Sequence, residues 1–152
     1  MRFKQVIDIL DWVIQFHADF ESKYRQLEEG NTKERAVLLL EYLADHQAAL
    51  AAAIKKYEKH ADASVMHTWF DQIPDINYPE KLQQLTRRMS GENTVDIVNL
   101  GIECHNLLIE MYQKLLQLSV TPAAQELFQT LVDMEQHEKL RMVRDAAQLE
   151  DI

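Results

Sequence analysis

Four histidines are the residues of this chain whose type and spacing best suit chemistry: His17, His46, His105 and His137. Neutral imidazoles are ligands for Zn, Ni, Cu and Fe ions, and histidine also gains and loses a proton near neutral pH. Because all four lie in long segments of helical periodicity, they can face one another at one level of a bundle. Such a quartet would hold a single transition-metal ion.

An internal repeat gives these histidines matched positions. His17–Leu27 reads HADFESKYRQL and His105–Leu115 reads HNLLIEMYQKL, so histidine, tyrosine and leucine coincide 88 residues apart. The partner segments VLLLEYLADHQAAL and FQTLVDMEQHEKLR align at an offset of 91 residues, which pairs His46 with His137. The repeat therefore predicts two similar halves that each supply two histidines to one site.

Two carboxylates are predicted to support the histidines. Glu21 lies one turn after His17, and Asp133 lies one turn before His137. Either carboxylate could join the site or accept the second ring proton of a ligand histidine. A lone histidine on an apolar helix face is more often a hydrogen-bonded core residue than a ligand. The matched placement on four helices is what favours a metal site here.

Long helices must position these residues. Only six of the 152 residues are Gly or Pro, whereas 47% are hydrophobic. Apolar residues recur at steps of three and four along four segments, which predicts helices over about 4–29, 33–59, 93–118 and 121–148. A crossover over about 60–91, with short helical pieces at 64–71 and 79–88, joins the second helix to the third. The predicted buried line of the fourth helix is Leu127, Leu131, Met134, His137 and Leu140.

The pattern resembles the rubrerythrin-like branch of the ferritin-like superfamily. In that family, helices one and three each carry a metal-binding glutamate seven residues before an aromatic, and helices two and four each carry a Glu-x-x-His motif. Tyr24 and Tyr112 match the aromatics, which places His17 and His105 at the positions of the single glutamates. The resemblance implies one domain over 1–152, an all-α, ferritin-like antiparallel four-helix bundle with a long helical crossover between helices two and three.

The chain departs from the family at its carboxylates. His46 and His137 match the histidines of Glu-x-x-His, but Leu43 and Met134 stand where the glutamates are expected. No bridging carboxylate then remains at the four expected positions, which argues against carboxylate-bridged di-iron chemistry. The sequence instead predicts a transition-metal-binding protein with a storage, sensing or redox role, the ion being Fe, Zn, Ni or Cu. Whether it is an enzyme stays open.

Two other functions are compatible with the same residues. The protein could be a metal-free interaction or scaffold protein that kept the ferritin-like fold while its site degenerated. Alternatively, a pair of the histidines could hold haem or another cofactor.

Composition excludes several classes of partner. The chain has 16 Lys and Arg against 25 Asp and Glu, a net charge of −9, which disfavours nucleic acid and anionic lipid surfaces. No apolar run approaches the roughly 20 residues of a membrane span, and the N-terminus does not read as a signal peptide. The single cysteine, Cys104, fits a reducing compartment. We expect a cytoplasmic homo-oligomer, specifically a dimer.

Overall fold

Six helices occupy most of the chain that the computed structural model describes, which is residues 4–70, 77–90 and 93–150. The predicted all-α class is confirmed, because the described residues contain no strand beyond a single bridge between Gln5 and Trp69. The helices are α1 (Val6–Glu29), α2 (Glu34–His60), α3 (Ala63–Met66), α4 (Tyr78–Arg88), α5 (Thr94–Leu118) and α6 (Pro122–Glu150).

The starts of the last two helices follow from local chemistry. The Asn93 side chain accepts a hydrogen bond from the Asp96 backbone N–H, which satisfies one of the free donors at the start of α5. Thr121 accepts similarly from the Ala124 N–H, and Pro122 stands at the first helical position of α6. The crossover is less regular than predicted, because the helix expected over 64–71 is limited to α3, and residues 71–76 lie outside the described part.

The four long helices form two antiparallel hairpins. Residues 30–33 connect α1 to α2, and residues 119–121 connect α5 to α6. Arg35 of α2, Val95 of α5 and Ala147 of α6 line one cleft, so the starts of α2 and α5 lie at the same end as the last turns of α6. Helices α2 and α5 therefore run in the same direction, and the crossover returns the chain along the length of the bundle.

The two hairpins repeat at a constant interval of 88 residues. Val6 and Thr94 begin α1 and α5, and Glu34 and Pro122 begin α2 and α6, which is 88 residues in both cases. Buried residues follow the same interval, among them the pairs Leu39/Leu127, Leu43/Leu131 and Ile54/Met142. The predicted offset of 91 in the second pair of helices is thus wrong by three residues. Three residues are close to one helical turn, so that misalignment rotates the matched face by only about 60°.

The buried face of α6 also differs from the predicted line toward the end of the helix. Of that line, Leu140 is 66% exposed and His137 is also exposed. The predicted line takes three successive steps of three residues, and each such step rotates it by about 60° around the helix. Leu127 and Leu131 of the predicted line are buried as expected. Beyond them the buried face alternates steps of three and four through Phe128, Leu131, Glu135, Glu138 and Met142, with Leu127 and Val132 beside it.

Helix α2 is long and apolar, and its position in the bundle explains this composition. By length and apolar composition, it is the one described helix that could also cross a membrane. In this fold it lies against α1 and α6 and buries Leu39, Leu43 and Gln47. The core helix of a bundle meets the same criterion, so this property alone does not indicate a membrane span.

Candidate functional site

A carboxylate bridges two histidines at the centre of the bundle. Glu135 on α6 places Oε1 2.9 Å from Nε2 of His17 on α1, and Oε2 2.7 Å from Nδ1 of His105 on α5. All three side chains are buried. The carboxylate therefore connects the two hairpins through the repeat-related histidines.

Gln47 on α2 completes the set. The His17 Nδ1 atom lies 2.6 Å from the Gln47 side-chain oxygen, so both ring nitrogens of His17 face oxygen acceptors. With the Gln47 amide in this orientation both nitrogens donate, an arrangement that corresponds to a His17 imidazolium paired with ionised Glu135. The pairs His17/Gln47 and His105/Glu135 each span 30 residues, so the two hairpins build the same contact twice.

The charges of this cluster stabilise one another. Burial alone would lower the pKa of His17, but the charge of Glu135 and hydrogen bonds to Glu135 and Gln47 raise it above its ordinary value. Burial alone would raise the pKa of Glu135, whereas the charge of His17 and hydrogen bonds from His105 and His17 lower it to about 2. Both shifts favour the charged forms, so His17 and Glu135 stabilise each other as a buried ion pair.

Two tyrosines lie near the cluster on the repeat-related helices. Tyr112 directs its hydroxyl toward Glu135 Oε1 at 3.5 Å, and burial, followed by the Glu135 charge, raises its pKa well above 10. The Tyr24 hydroxyl is buried without a hydrogen-bond partner among the described residues. A Cβ on Gly101 would lie 3.1 Å from that hydroxyl, so glycine leaves α5 the room to pass it.

Burial raises the pKa of Cys104 to about 12, so its thiol stays protonated.

The structure does not bring all four predicted histidines together. His17 and His105 meet at Glu135, but His46 pairs with Glu138, whose oxygens lie 2.6 and 3.2 Å from its Nδ1. His137 is exposed on the outer face of α6, with Nε2 3.4 Å from the guanidinium of Arg141. The shift of the α6 face described above accounts for its outward position.

The two predicted supporting carboxylates bind other partners. Glu21 forms an ion pair with Arg25 on the same helix, at 2.9 Å. Asp133 is exposed and accepts a hydrogen bond from the Gln129 side chain at 3.0 Å. In these two contacts, therefore, neither carboxylate is paired with a histidine.

Sequence reasoning missed three buried polar residues: Gln47, Glu135 and Glu138. The signal that finds them is the 88-residue interval itself. Carried from α1/α5 into α2/α6, it pairs Gln47 with Glu135, each 30 residues after its own histidine. The offset of 91 instead aligns His46 with His137, which are identical residues. It differs, however, from the 88-residue interval that relates α1 to α5.

The donor set at the centre is compatible with a metal ion after rearrangement of its protons. Among residues 4–70, 77–90 and 93–150, no group of three or more His, Cys, Asp or Glu side chains forms a ready-made metal site. The protons of His17 and His105 point at the carboxylate instead. Two imidazoles and a carboxylate are nonetheless a common ligand set. In a tetrahedral site with bonds of about 2.1 Å, adjacent ligand atoms lie about 3.4 Å apart. The imidazole–carboxylate separations of 2.9 and 2.7 Å found here would therefore have to widen by several tenths of an ångström to admit an ion.

Comparisons with protein-family models, with curated proteins and with solved structures gave no significant match.

Proposed function

We propose that the protein is a ferritin-like bundle that binds one transition-metal ion at its centre, in a storage, sensing or redox role. His17, His105 and Glu135 are the proposed ligands, and Gln47 orients the His17 ring through Nδ1. The observation that carries the proposal is the buried carboxylate that contacts one histidine from each hairpin. The proposed ligand set replaces the histidine quartet, because His46 and His137 lie away from the centre.

The order and direction of the helices support the ferritin-like assignment. The fold has two antiparallel hairpins joined by a crossover that runs along the bundle, as the resemblance implies. We further propose that Gln47 and Glu135, which the 88-residue interval pairs, correspond to the glutamates of Glu-x-x-His in place of Leu43 and Met134. The four residues at the centre thus comprise one carboxylate (Glu135), two histidines (His17 and His105) and one amide (Gln47).

The buried position of the cluster fits a tightly held ion. An ion bound at Nε2 of His17 would replace the second proton of that ring, whereas His105 would keep its one proton by moving it from Nδ1 to Nε2. Binding would therefore release a proton and tighten as pH rises. The chemistry that such an ion supplies is Lewis acidity or, for Fe and Cu, electron transfer. The chain itself would hold the ion, orient the rings and keep bulk water away.

Metal analysis of the purified protein, followed by titration with Fe(II), Zn(II), Ni(II) and Cu(II), tests the proposal. We expect one ion per chain, and loss of at least about tenfold in affinity in His17→Gln, His105→Gln and Glu135→Gln. His137→Gln is the matched control, since it removes an exposed histidine from the same helix as Glu135. Absence of stoichiometric binding, or equal loss in His137→Gln, would overturn the proposal.

A specific observation favours a second function, that of a metal-free ferritin-like scaffold or interaction protein. Both ring nitrogens of His17 and both oxygens of Glu135 are satisfied by protein groups. A closed network of this kind can fix the register of two hairpins without a metal. This function gains support if no ion binds while Glu135→Gln still lowers the free energy of unfolding.

A further inference from the structure

A cleft with a volume of about 360 Å³ lies between α1 and α4. Volumes of roughly 300–1,000 Å³ are typical of small-molecule sites. The floor of this α1–α4 cleft is aromatic, whereas its rim carries amide, hydroxyl and charged groups. The aromatic residues that line it all belong to α1, and they are Trp12, Phe16 and Phe20.

The aromatic floor offers a planar surface. The Trp12 and Phe16 rings stack with centroids 5.4 Å and planes 18° apart, and the Phe20 ring follows at 5.6 Å from that of Phe16. Phe16 and Phe20 are buried, whereas Trp12 is half-buried. Aromatic side chains that line a cleft stack against planar rings, nucleobases among them. The floor therefore favours a ligand with a flat ring system.

The repeat-related face of α5 has no such floor. The residues 88 positions after the three aromatic ones are Leu100, Cys104 and Leu108, and Met111 corresponds to Lys23. Helix α4 packs against α5, a contact that small and aliphatic side chains suit. The aromatic rings and the lysine thus replace such side chains on α1, beside which α4 leaves the cleft open.

Two cations reach the cleft from different helices. Lys23 on α1 and Arg87 on α4 both line it, and neither side chain forms an ion pair with the residues that the structure describes. Asp19 also lines the cleft, and its carboxylate accepts a hydrogen bond from the Gln15 side chain at 2.8 Å. The two cations outnumber this carboxylate, although the chain as a whole has a net charge of −9. Lys and Arg are the side chains that bind phosphate groups, and together they match the charge of a dianion.

We propose that the α1–α4 cleft binds a small heteroaromatic molecule that carries a phosphate group, of the class of nucleoside monophosphates. The ring would stack on the aromatic floor, and the phosphate would bind Lys23 and Arg87. The side-chain amides of Gln15 and Gln83 can pair with the polar edge of the ring. The Asp19 carboxylate can accept a hydrogen bond from a ring amine or a sugar hydroxyl.

This site is separate from the buried centre. The Phe16 ring packs edge-on against the His17 ring with centroids 5.7 Å apart, so the aromatic floor lies between the cleft and His17. The inference therefore does not rest on the proposed metal, and metal-free protein serves for its test.

Calorimetric titration with the monophosphates of adenosine, guanosine, cytidine and uridine tests the proposal. Trp12 and Trp69 are the two tryptophans of the chain, so Trp69→Phe leaves Trp12 as a fluorescent reporter within the cleft. We expect saturable binding of at least one monophosphate, with quenching of Trp12. The matching nucleoside lacks the phosphate and inorganic phosphate lacks the ring, so each should bind at least about tenfold more weakly.

Substitutions at the rim locate the phosphate. Lys23→Met introduces the residue of the repeat-related position, and Arg87→Gln removes the second cation. Each should lower the affinity by at least about tenfold, as expected for loss of a charge-assisted hydrogen bond, whereas Lys23→Arg should keep most of it. Arg88→Gln is the matched control, because it changes the net charge equally but removes a side chain that pairs with Glu103 of α5.

Absence of saturable binding by all four monophosphates would overturn the proposal. Binding without quenching of Trp12, or an equal loss of affinity in Arg88→Gln, would also overturn it, because the ligand would then lie elsewhere or be held by net charge alone. Unfolding free energies of the variants verify that each remains folded. Nucleotide binding by a protein that takes up no metal ion would overturn the proposed function and leave this inference standing.

Discussion

Glu135 keeps a negative charge in the core because two imidazoles and a nearby tyrosine replace the water it has lost. An unpaired buried carboxylate would take up a proton instead. The pairing works in both directions, since the charge and hydrogen bond of this carboxylate raise the pKa of His17. Each residue therefore fixes the protonation state of the other, and removing either leaves the second uncompensated.

Glu135→Gln tests the free energy in this pairing. The amide has the shape of the carboxylate but cannot pair with an imidazolium, and breaking a buried ion pair typically costs about 3–5 kcal/mol. We expect a loss of this order in the free energy of unfolding, measured by urea denaturation of metal-free protein at pH 6. Glu103→Gln removes an exposed carboxylate from α5 and should change it by less than about 0.5 kcal/mol. A loss below 1 kcal/mol in Glu135→Gln would contradict the buried ion pair.

The same pair predicts how stability depends on pH. The pKa of Glu135 falls on folding to about 2, so its contribution is present above the unfolded pKa near 4.5 and is lost as pH falls toward 2. The pKa of His17 rises on folding, so its contribution is present below about 6.5 and is lost as pH rises through its folded pKa. Stability from this pair is therefore greatest between about pH 4.5 and 6.5.

Urea midpoints measured from pH 2 to pH 9 check this dependence. Glu135→Gln should flatten both the acid and the alkaline side of the profile, because the two contributions come from one contact. A variant profile parallel to the wild-type profile on both sides would show that other groups set the pH dependence.

At the scale of the element, α6 determines which side chains reach the centre. Its buried face runs through Phe128, Glu135 and Met142, so each step of seven residues returns to nearly the same side. His137 lies two residues after Glu135, which turns its side chain about 160° away on a helix. The rotation of one helix therefore decides that a glutamate, and not a histidine, enters the site.

A pair of substitutions tests this orientation of α6. Phe128→Ala empties a fully buried position and should cost about 3–5 kcal/mol of unfolding free energy. Leu140→Ala removes a side chain that is 66% exposed and should cost less than about 0.5 kcal/mol. Thermal and urea unfolding measure both. A larger loss for Leu140→Ala than for Phe128→Ala would contradict the observed face and favour the line predicted from sequence.

At the scale of the whole molecule, the centre connects the two hairpins. His17 and Gln47 come from the first hairpin, and His105 and Glu135 from the second, so the hydrogen bonds of Glu135 cross the interface between them. Toward the surface, His46 contacts Glu138 and Tyr42 contacts Asp145, both between α2 and α6. A ligand bound at the centre would therefore stabilise the packing of both halves.

Metal-dependent stability tests this coupling. An ion that binds only the folded protein should add about 2.7 kcal/mol to the free energy of unfolding at a free concentration 100 times its Kd. We expect the thermal midpoint to rise with Zn(II) concentration in the wild type and in His137→Gln, and to stay constant in His105→Gln. An equal rise in His105→Gln would place the ion elsewhere.

The sequence by itself determined the helical class, the bounds of the long helices and the presence of a repeat. Breaker residues and apolar periodicity are local signals, and they correctly predicted α1, α2, α5 and α6 to within a few residues. The sequence also singled out His17 and His105, because their segment repeats over eleven residues with a tyrosine and a leucine in register.

Only the tertiary structure decided which groups meet at the centre. Offsets of 88 and 91 residues both keep the apolar positions of α6 roughly in phase, since three residues nearly complete a helical turn. The packing of α6 against α5 and α2 turns Glu135 and Glu138 inward and His137 outward, which agrees with the offset of 88 and not with that of 91. From its type alone, a glutamate is expected at the surface. Glu135 can be buried because histidines from other helices compensate its charge.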